Sequence, residues 1–424
     1  MTLILGLETS CDETAASVVR DGRFVVSNVV ATQHDLHERY RGVVPEIASR
    51  AHLQNINPVI HEALEQAGVT LNDLDAIAVG HRPGLIGSLL VGVSAAKTLA
   101  WSAGKPLIGI DHVQAHLHAA TMTATPPDTT SAAYTKTVSD TVSQQETAPI
   151  KGSGVVFKKT DDPDAKTVSD TVSVPPAVSP VSPANDQDDT SETSGGGALA
   201  FPALGLVVSG GHSSIYQMQS ATDLTLIGST IDDAVGEAYD KAAVILNVGY
   251  PGGPKLDKLA QQGDPTSHKL PRSMLGKDSL DFSFSGLKTA VLYTVRGHPK
   301  GRGAAARFER SIDDLNESQI TDIAAAFQAA AIDAVIAKLK RAIQYMADQG
   351  SPPQSLVIGG GVSANSLLRT RVLELGKDMD LTVRIPAFAY CLDNAAMIAG
   401  LAHTHFTDGN FAELDLPAIA SGSV

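Results

Sequence analysis

Cysteine is nearly missing: Cys11 and Cys391 are the only two. They make neither a disulfide framework nor a paired-cysteine metal motif, which suits a reducing compartment. Nowhere do eighteen uncharged apolar residues follow one another, so no membrane span is expected. The opening "MTLILGLETS" has no basic stretch before its short apolar run and soon meets Glu8, unlike a secretory signal. Positive charge is also scarce, with 32 Lys and Arg against 46 Asp and Glu and a net charge of −14. Alone, that balance speaks against a nucleic-acid partner unless a local basic patch or a helper protein brings one. Aromatics are only 4% of the chain, yet 43% of its 424 residues are hydrophobic, enough to bury a large core in two or more domains. A soluble cytoplasmic protein is expected.

Residues 121–200 differ from the rest. They carry eleven acidic residues and five lysines, have only Tyr134 and Phe157 as aromatics, and show no hydrophobic period. Such a segment cannot offset the entropy of ordering itself, so it reads as a disordered insertion in a surface loop. Its "KTVSDTVS" occurs twice, at 136–143 and 166–173, too few copies and too polar a unit for a solenoid.

Elsewhere strands and helices mix. "TLILGLETS" predicts a strand, and "ASVVRDGRFVVSNVVA" two strands joined at Asp21-Gly22. "PEIASRAHLQNINPVIHEALEQAG" predicts a helix opened by Pro45, broken or kinked at Pro58 and closed by Gly68. After the insertion the pattern restarts: "ALGLVVSGGHSSIYQM" at 203–218 resembles "ILGLETSCDETAASVV" at 4–19, each a strand, a tight polar turn and a second strand. Helices are expected near 232–247, 253–262, 285–296 and 318–348. Two similar α/β lobes around a cleft follow, with a first lobe over 1–120, a second over 201–393, and a C-terminal helix region at 394–424 packing back on the first.

Several clusters could carry chemistry. "VVSGGHSS" and "IGGGVSANSLL" are glycine turns, one in each half of the bilobed pattern; the second places three glycines between a strand and a helix N-terminus, where a nucleotide's phosphate or ribose can sit. Neither fits a P-loop or a dinucleotide fingerprint. Gly210 and Gly211 would allow unusual dihedrals and close approach to an anion. "ETSCDET" gathers Glu8, Asp12 and Glu13 at a turn, as metal–nucleotide positioners, a general base, or solvated turn acids. Asp233, Glu237 and Asp240 would share one helix face, and Asp240 and Asp257 with Gly253 between them could hold a ribose, or simply favour helix N-termini. "DHVQAHLHAA" sets His112 and His116 on one helix face, able to share a metal. Val113 stands where a zinc protease needs glutamate, and such a pair is often incidental; Asp393 in "YCLDNAAM" is the candidate carboxylate ligand that would make an iron or zinc site.

Taken together, "GLETSCDETAASVV", "HVQAH", "LVVSGGHSS", "DDAVGEAYDKAA", "YPGGPKLDKLA", "DFSFSGLKTA", "GGGVSAN" and "CLDNAAMIA" resemble the TsaD family, the tRNA adenosine threonylcarbamoyltransferases formerly described as O-sialoglycoprotein endopeptidases. The resemblance implies an α/β, two-lobed actin/Hsp70/sugar-kinase-like fold. It also implies transfer of the threonylcarbamoyl group of threonylcarbamoyl-AMP to the exocyclic amine of adenosine at position 37 of tRNAs reading codons that begin with adenine. By motif, His112, His116 and Asp393 would bind a divalent metal, iron first and zinc second. Val207, Val208, Ser209, Gly210, Gly211, Asp240, Gly253, Asp257 and Asn365 would hold the adenylate, with Asp12 and Glu13 at the reactive end. A smaller fold-related protein of the TsaB type and a P-loop ATPase of the TsaE type would be partners. One segment departs: the family usually shows Thr-x-Gly-Pro-Gly where "GHRPG" stands here, with Gly80 for Thr and Arg82 for Gly, and Arg82 reads as a surface arginine. A small-molecule kinase, a metallopeptidase and a non-catalytic regulatory member are the competing classes.

Overall fold

The computed structural model describes residues 1–40, 42–124, 199–249, 251–301 and 307–420. The span 125–198, with both "KTVSDTVS" copies and most of the expected insertion, lies outside the described residues. The flanks of that expected insertion pack into the fold: Met122 is buried in a core cluster, Thr123–Ala124 (β6) forms a short strand, and Leu199 lies against the cluster around Val113 and Leu117.

Two sheets repeat one plan. In the first, Leu3–Glu8 (β1), Glu13–Arg20 (β2) and Phe24–Thr32 (β3) run antiparallel, and Ala76–Arg82 (β4) and Leu107–Asp111 (β5) add in parallel beyond β1. The order is β5-β4-β1-β2-β3-β6. In the second, Ala203–Val208 (β7), Ser213–Met218 (β8) and Leu224–Ser229 (β9) are antiparallel, and Ser355–Gly359 (β10) and Thr382–Arg384 (β11) are parallel beyond β7, giving β11-β10-β7-β8-β9. The turn after the first strand of each sheet therefore occupies equivalent places. The hairpin at Asp21-Gly22 is made as the sequence predicts, with both residues at positive φ of 51° and 69°; Arg20 pairs with Phe24, so three residues join the strands.

Helices cover the sheets. His34–His37 (α1) is a single turn, and Pro45–Ala67 (α2) continues through Pro58, so of the expected break or kink there is no break; Gly68 ends it at φ 65°. Ile86–Ala103 (α3) packs on α2 and β4. His112–Ala119 (α4) starts directly after β5, its N-terminus capped by Asp111, whose carboxylate accepts from Val113 N and Gln114 N at 2.9 and 3.1 Å. Val235–Ile245 (α5), Gly252–Ala260 (α6), Ser285–Arg296 (α7), Glu317–Asp348 (α8), Ser366–Met379 (α9) and Ala395–Thr407 (α10) follow. Helix α10 packs on β1, β2 and β4.

Helices α3 and α8 are long and apolar enough to cross a bilayer by length and composition alone. Most of α8 is instead buried against α6, α7 and α9, with Phe327 fully enclosed beside Tyr239 at a ring separation of 5.0 Å. Each such side chain contributes about 1.5–3 kcal/mol by leaving water, so this core holds the second sheet's helices in place.

Helix α4 joins the two sheets. It contacts α10 on the first side and β7 and β10 on the second, where any side chain at Gly359 would collide with the His116 carbonyl. A glycine in β10 thus lets the histidine helix seat directly on the second sheet.

Candidate active site

Three donor atoms converge between these elements. His116 Nε2 lies 3.1 Å from His112 Nε2 and 3.1 Å from Asp393 Oδ1, and His112 Nε2 lies 3.6 Å from the same oxygen. Both histidines are buried, and Asp393 precedes α10, capped by Asn394 accepting from Met397 N at 3.0 Å. Two imidazole nitrogens cannot face one another at this distance without a proton or a cation between them. Separations of 3.1–3.6 Å suit three ligand atoms that each sit about 2.1 Å from one divalent ion. The three residues therefore form a candidate metal-binding group. Burial works against a charged His112, but Glu8 and Asp393 outweigh it and raise its pKa to about 9. Asp393 is held below the usual carboxylate range by His112 and His116, although its own burial pushes the other way.

The turn between β1 and β2 is braced from several sides. Thr9 Oγ1 donates to Ser88 O at 2.9 Å, Leu85 N donates to Ser10 O at 2.8 Å, and His52 of α2 pairs with Thr14 Oγ1 at 2.8 Å and Cys11 O at 3.1 Å. Within this frame Asp12 and Glu13 are both buried, and His34 of α1 stands 3.4 Å from Glu13. Their donor atoms lie within 4.8 Å of one another, a second group able to hold a cation. Burial, then Asp12 and Asp393, raise Glu13 to about pKa 8 even though His34 opposes the shift. A carboxyl tuned there can accept a proton near neutral pH.

The turn between β7 and β8 is built differently. Gly210 and Gly211 are exposed, and a methyl group at either would meet open space; neither has positive φ, so room rather than an unusual dihedral is what they supply. Val207 and Val208, expected with them, are fully buried, and their backbone belongs to the β7–β8 and β7–β10 ladders, which leaves Ser209, Gly210 and Gly211 to face a ligand. Ser209 Oγ accepts from His212 N at 3.1 Å. Burial and the charges of His112 and His116 lower His212 to about pKa 4, so this second turn abuts the histidine group.

Other expected residues fall into two constellations. Asp240 Oδ1 accepts from Gly252 N at 2.8 Å, and the N–H of Gly253 also bonds its carboxylate, so Asp240 and Gly253 meet at the start of α6. Burial raises Asp240 above the usual carboxylate range. Asp257 accepts from Ser366 Oγ at 2.8 Å, Gln328 Nε2 at 2.9 Å and Asn365 Nδ2 at 3.2 Å, while Asn365 caps α9 through Leu368 N at 2.9 Å. Asp233 is corrected: α5 begins at Val235, so Asp233 is not on its face but pairs with Lys241 at 2.8 Å and Lys288 at 3.0 Å. Arg82, its side chain 41% exposed as a surface arginine's would be, has its Nε 3.3 Å from Asp111 Oδ2, on the residue that caps α4. Ser10, His34, His212 and Gln328 were not among the expected site residues, and Glu8, expected at the acidic turn, instead meets His112 Nδ1 at 3.1 Å; each reaches the site through contacts distant in sequence.

The profile of the family described as TsaD, tRNA N6-adenosine threonylcarbamoyltransferase, matches residues 24–134 and 189–400. The protein of that name from Thermomicrobium roseum is 41% identical over 420 residues, covering 98% of this chain and 94% of that one. The one from Rhodopirellula baltica is 41% identical over 419 residues, covering 98% and 95%. The chain belongs to the TsaD family. Among solved structures, HypF of T. kodakarensis aligns with a TM-score of 0.50 at 14% identity, covering 98% of this chain and about half (49%) of that one. That likeness bears on fold alone, and with the repeated sheet plan it gives the two-sheet actin/Hsp70/sugar-kinase-like architecture that the sequence predicts.

Proposed function

We propose that this protein transfers the threonylcarbamoyl group of threonylcarbamoyl-AMP to the exocyclic amine of an adenosine in tRNA. The observation that carries the reading is the pairing of full-length family membership with a buried acidic turn, an open glycine turn and the two-histidine, one-carboxylate group. The substrate is a mixed anhydride, already activated, so no covalent nucleophile is needed. The protein has to orient the amine, exclude water and stabilise charge on the phosphate side.

In this reading the adenylate lies along Ser209, Gly210 and Gly211, with its ribose toward Asp240, Gly253 and Asp257 and with Asn365 fixing Asp257. The amine nitrogen bonds to the carbamoyl carbon as the bond from that carbon to the phosphate oxygen breaks. The amine proton passes to Glu13, with Asp12 beside it, and AMP leaves. His112, His116 and Asp393 would hold a divalent ion, iron by preference over zinc, which would supply Lewis-acid stabilisation of charge on the phosphate side. The reaction is assigned to the cytoplasm.

A smaller fold-related partner of the TsaB type and a P-loop ATPase of the TsaE type complete the assembly. Support for the first is an apolar groove between α2 and α3, where Leu53 is 66% and Leu90 51% exposed; exposed contiguous apolar surface of this kind is where proteins associate. The test is incubation of the full chain with threonylcarbamoyl-AMP, unmodified tRNA and both partner proteins, followed by nucleoside mass analysis. Modified adenosine is expected. Hydrolysis of the adenylate with nothing on the tRNA would overturn the reading.

A further inference from the structure

The substitution of Gly80 in the "GHRPG" segment has a structural counterpart 72 positions earlier in the chain. Glu8, at the end of β1, is completely buried. Its Oε1 accepts the backbone N–H of Ser10, and its Oε2 lies 3.1 Å from His112 Nδ1. Ser10 Oγ is also 3.1 Å from that nitrogen. A Cβ at position 80 would sit 2.5 Å from Glu8 Oε2. The carboxylate thus packs directly against the backbone of residue 80.

We infer that Glu8 is a positioning residue: it fixes His112 with its proton on Nδ1, which aims the Nε2 lone pair at His116 and Asp393. The chemistry is one of donors and acceptors. Both Glu8 oxygens can only accept, one from Ser10 N–H and the other from Nδ1–H of His112. An amide in the same place has one acceptor and one donor. With its oxygen kept on Ser10 N–H, its NH2 would face Nδ1 and require that nitrogen to accept, moving the ring proton to Nε2 and removing the lone pair a metal needs. Carboxylates that orient ligand histidines in this way typically change metal affinity by about 10–100-fold when lost.

The inference rests on the metal reading above, and the experiment separates the two. Zinc is titrated into the full-length wild type, Glu8→Gln and Gly80→Ala against a competing chelator, and histidine 15N spectra of the zinc-loaded proteins report which ring nitrogen carries hydrogen. Wild type is expected to bind zinc with His112 protonated at Nδ1. Glu8→Gln should bind about 10–100-fold more weakly, and Gly80→Ala, which displaces the carboxylate without removing it, should be weakened less. Thermal melts of the metal-free proteins identify any variant that fails to fold, and the other variant then decides. If wild type takes up no zinc, the metal reading fails and takes this inference with it. If wild type binds and the folded variants bind as tightly, with the same 15N pattern, only the role of Glu8 is overturned.

Discussion

The turn after β1 and the turn after β7 hold the same position in two copies of one sheet plan, yet they are chemically opposite. The first buries Glu8, Asp12 and Glu13 and is tied down by His52, Ser88 and Leu85. The second exposes Gly210 and Gly211 with empty space where side chains would be. A duplicated scaffold offers two strand-end turns facing one region. Filling one with constrained carboxylates suits it to move a proton, and leaving the other bare suits it to let a nucleotide backbone approach. Helix α4, seated on both sheets, carries the histidines between them.

The strongest way to break the comparison is to remove what lies between the turns. His116→Ala takes away a fully buried candidate ligand, and transfer to tRNA is expected to fall by more than about a hundredfold, with metal content by elemental analysis falling in parallel. Loss of metal with full transfer would detach the histidine group from the reaction.

Glu13→Gln acts on the first turn alone. Transfer should drop about a hundredfold, the low end for a lost proton acceptor, while the adenylate still binds. The wild-type rate should rise with pH as Glu13, held above the usual carboxylate range by burial, gives up its proton, and this limb should vanish in the variant. Gly211→Val acts on the second turn. It should raise KM for the adenylate about tenfold, worth about 1.4 kcal/mol, with little change in the saturated rate.

A separate effect is on stability. Glu13 has an ordinary pKa of 4.5 and a folded value of about 8, so the native state holds the proton more tightly than the unfolded chain. Its contribution is fully present below pH 4.5 and gone above about pH 8. Denaturant unfolding of the metal-free protein should show that decline between the two values, and Glu13→Gln should flatten it.

Much of this was legible in the sequence because it is local. Asp21-Gly22 dictates its turn, Gly68 its helix end, and the 112–116 spacing its shared face. The restart at 203 was visible as repeated hydrophobic pattern and returned as repeated sheet order. What was illegible is nonlocal. Glu8 meets His112 across 104 positions and Asp257 meets Asn365 across 108, and no periodicity encodes either contact. Asp233 failed because the helix begins two residues later than its acidic pattern suggests, after Ala234 in an extended conformation. Val207 and Val208 belong to the strand that presents the turn, a distinction that motif membership does not draw.

The division of labour between the two turns is tested most directly by combining Glu13→Gln with Gly211→Val and measuring kcat/KM for transfer in wild type, both single variants and the double. If one turn serves proton transfer and the other adenylate binding, the two losses multiply to about a thousandfold. A double variant no worse than Glu13→Gln alone would contradict it, because the turns would then be acting as one unit.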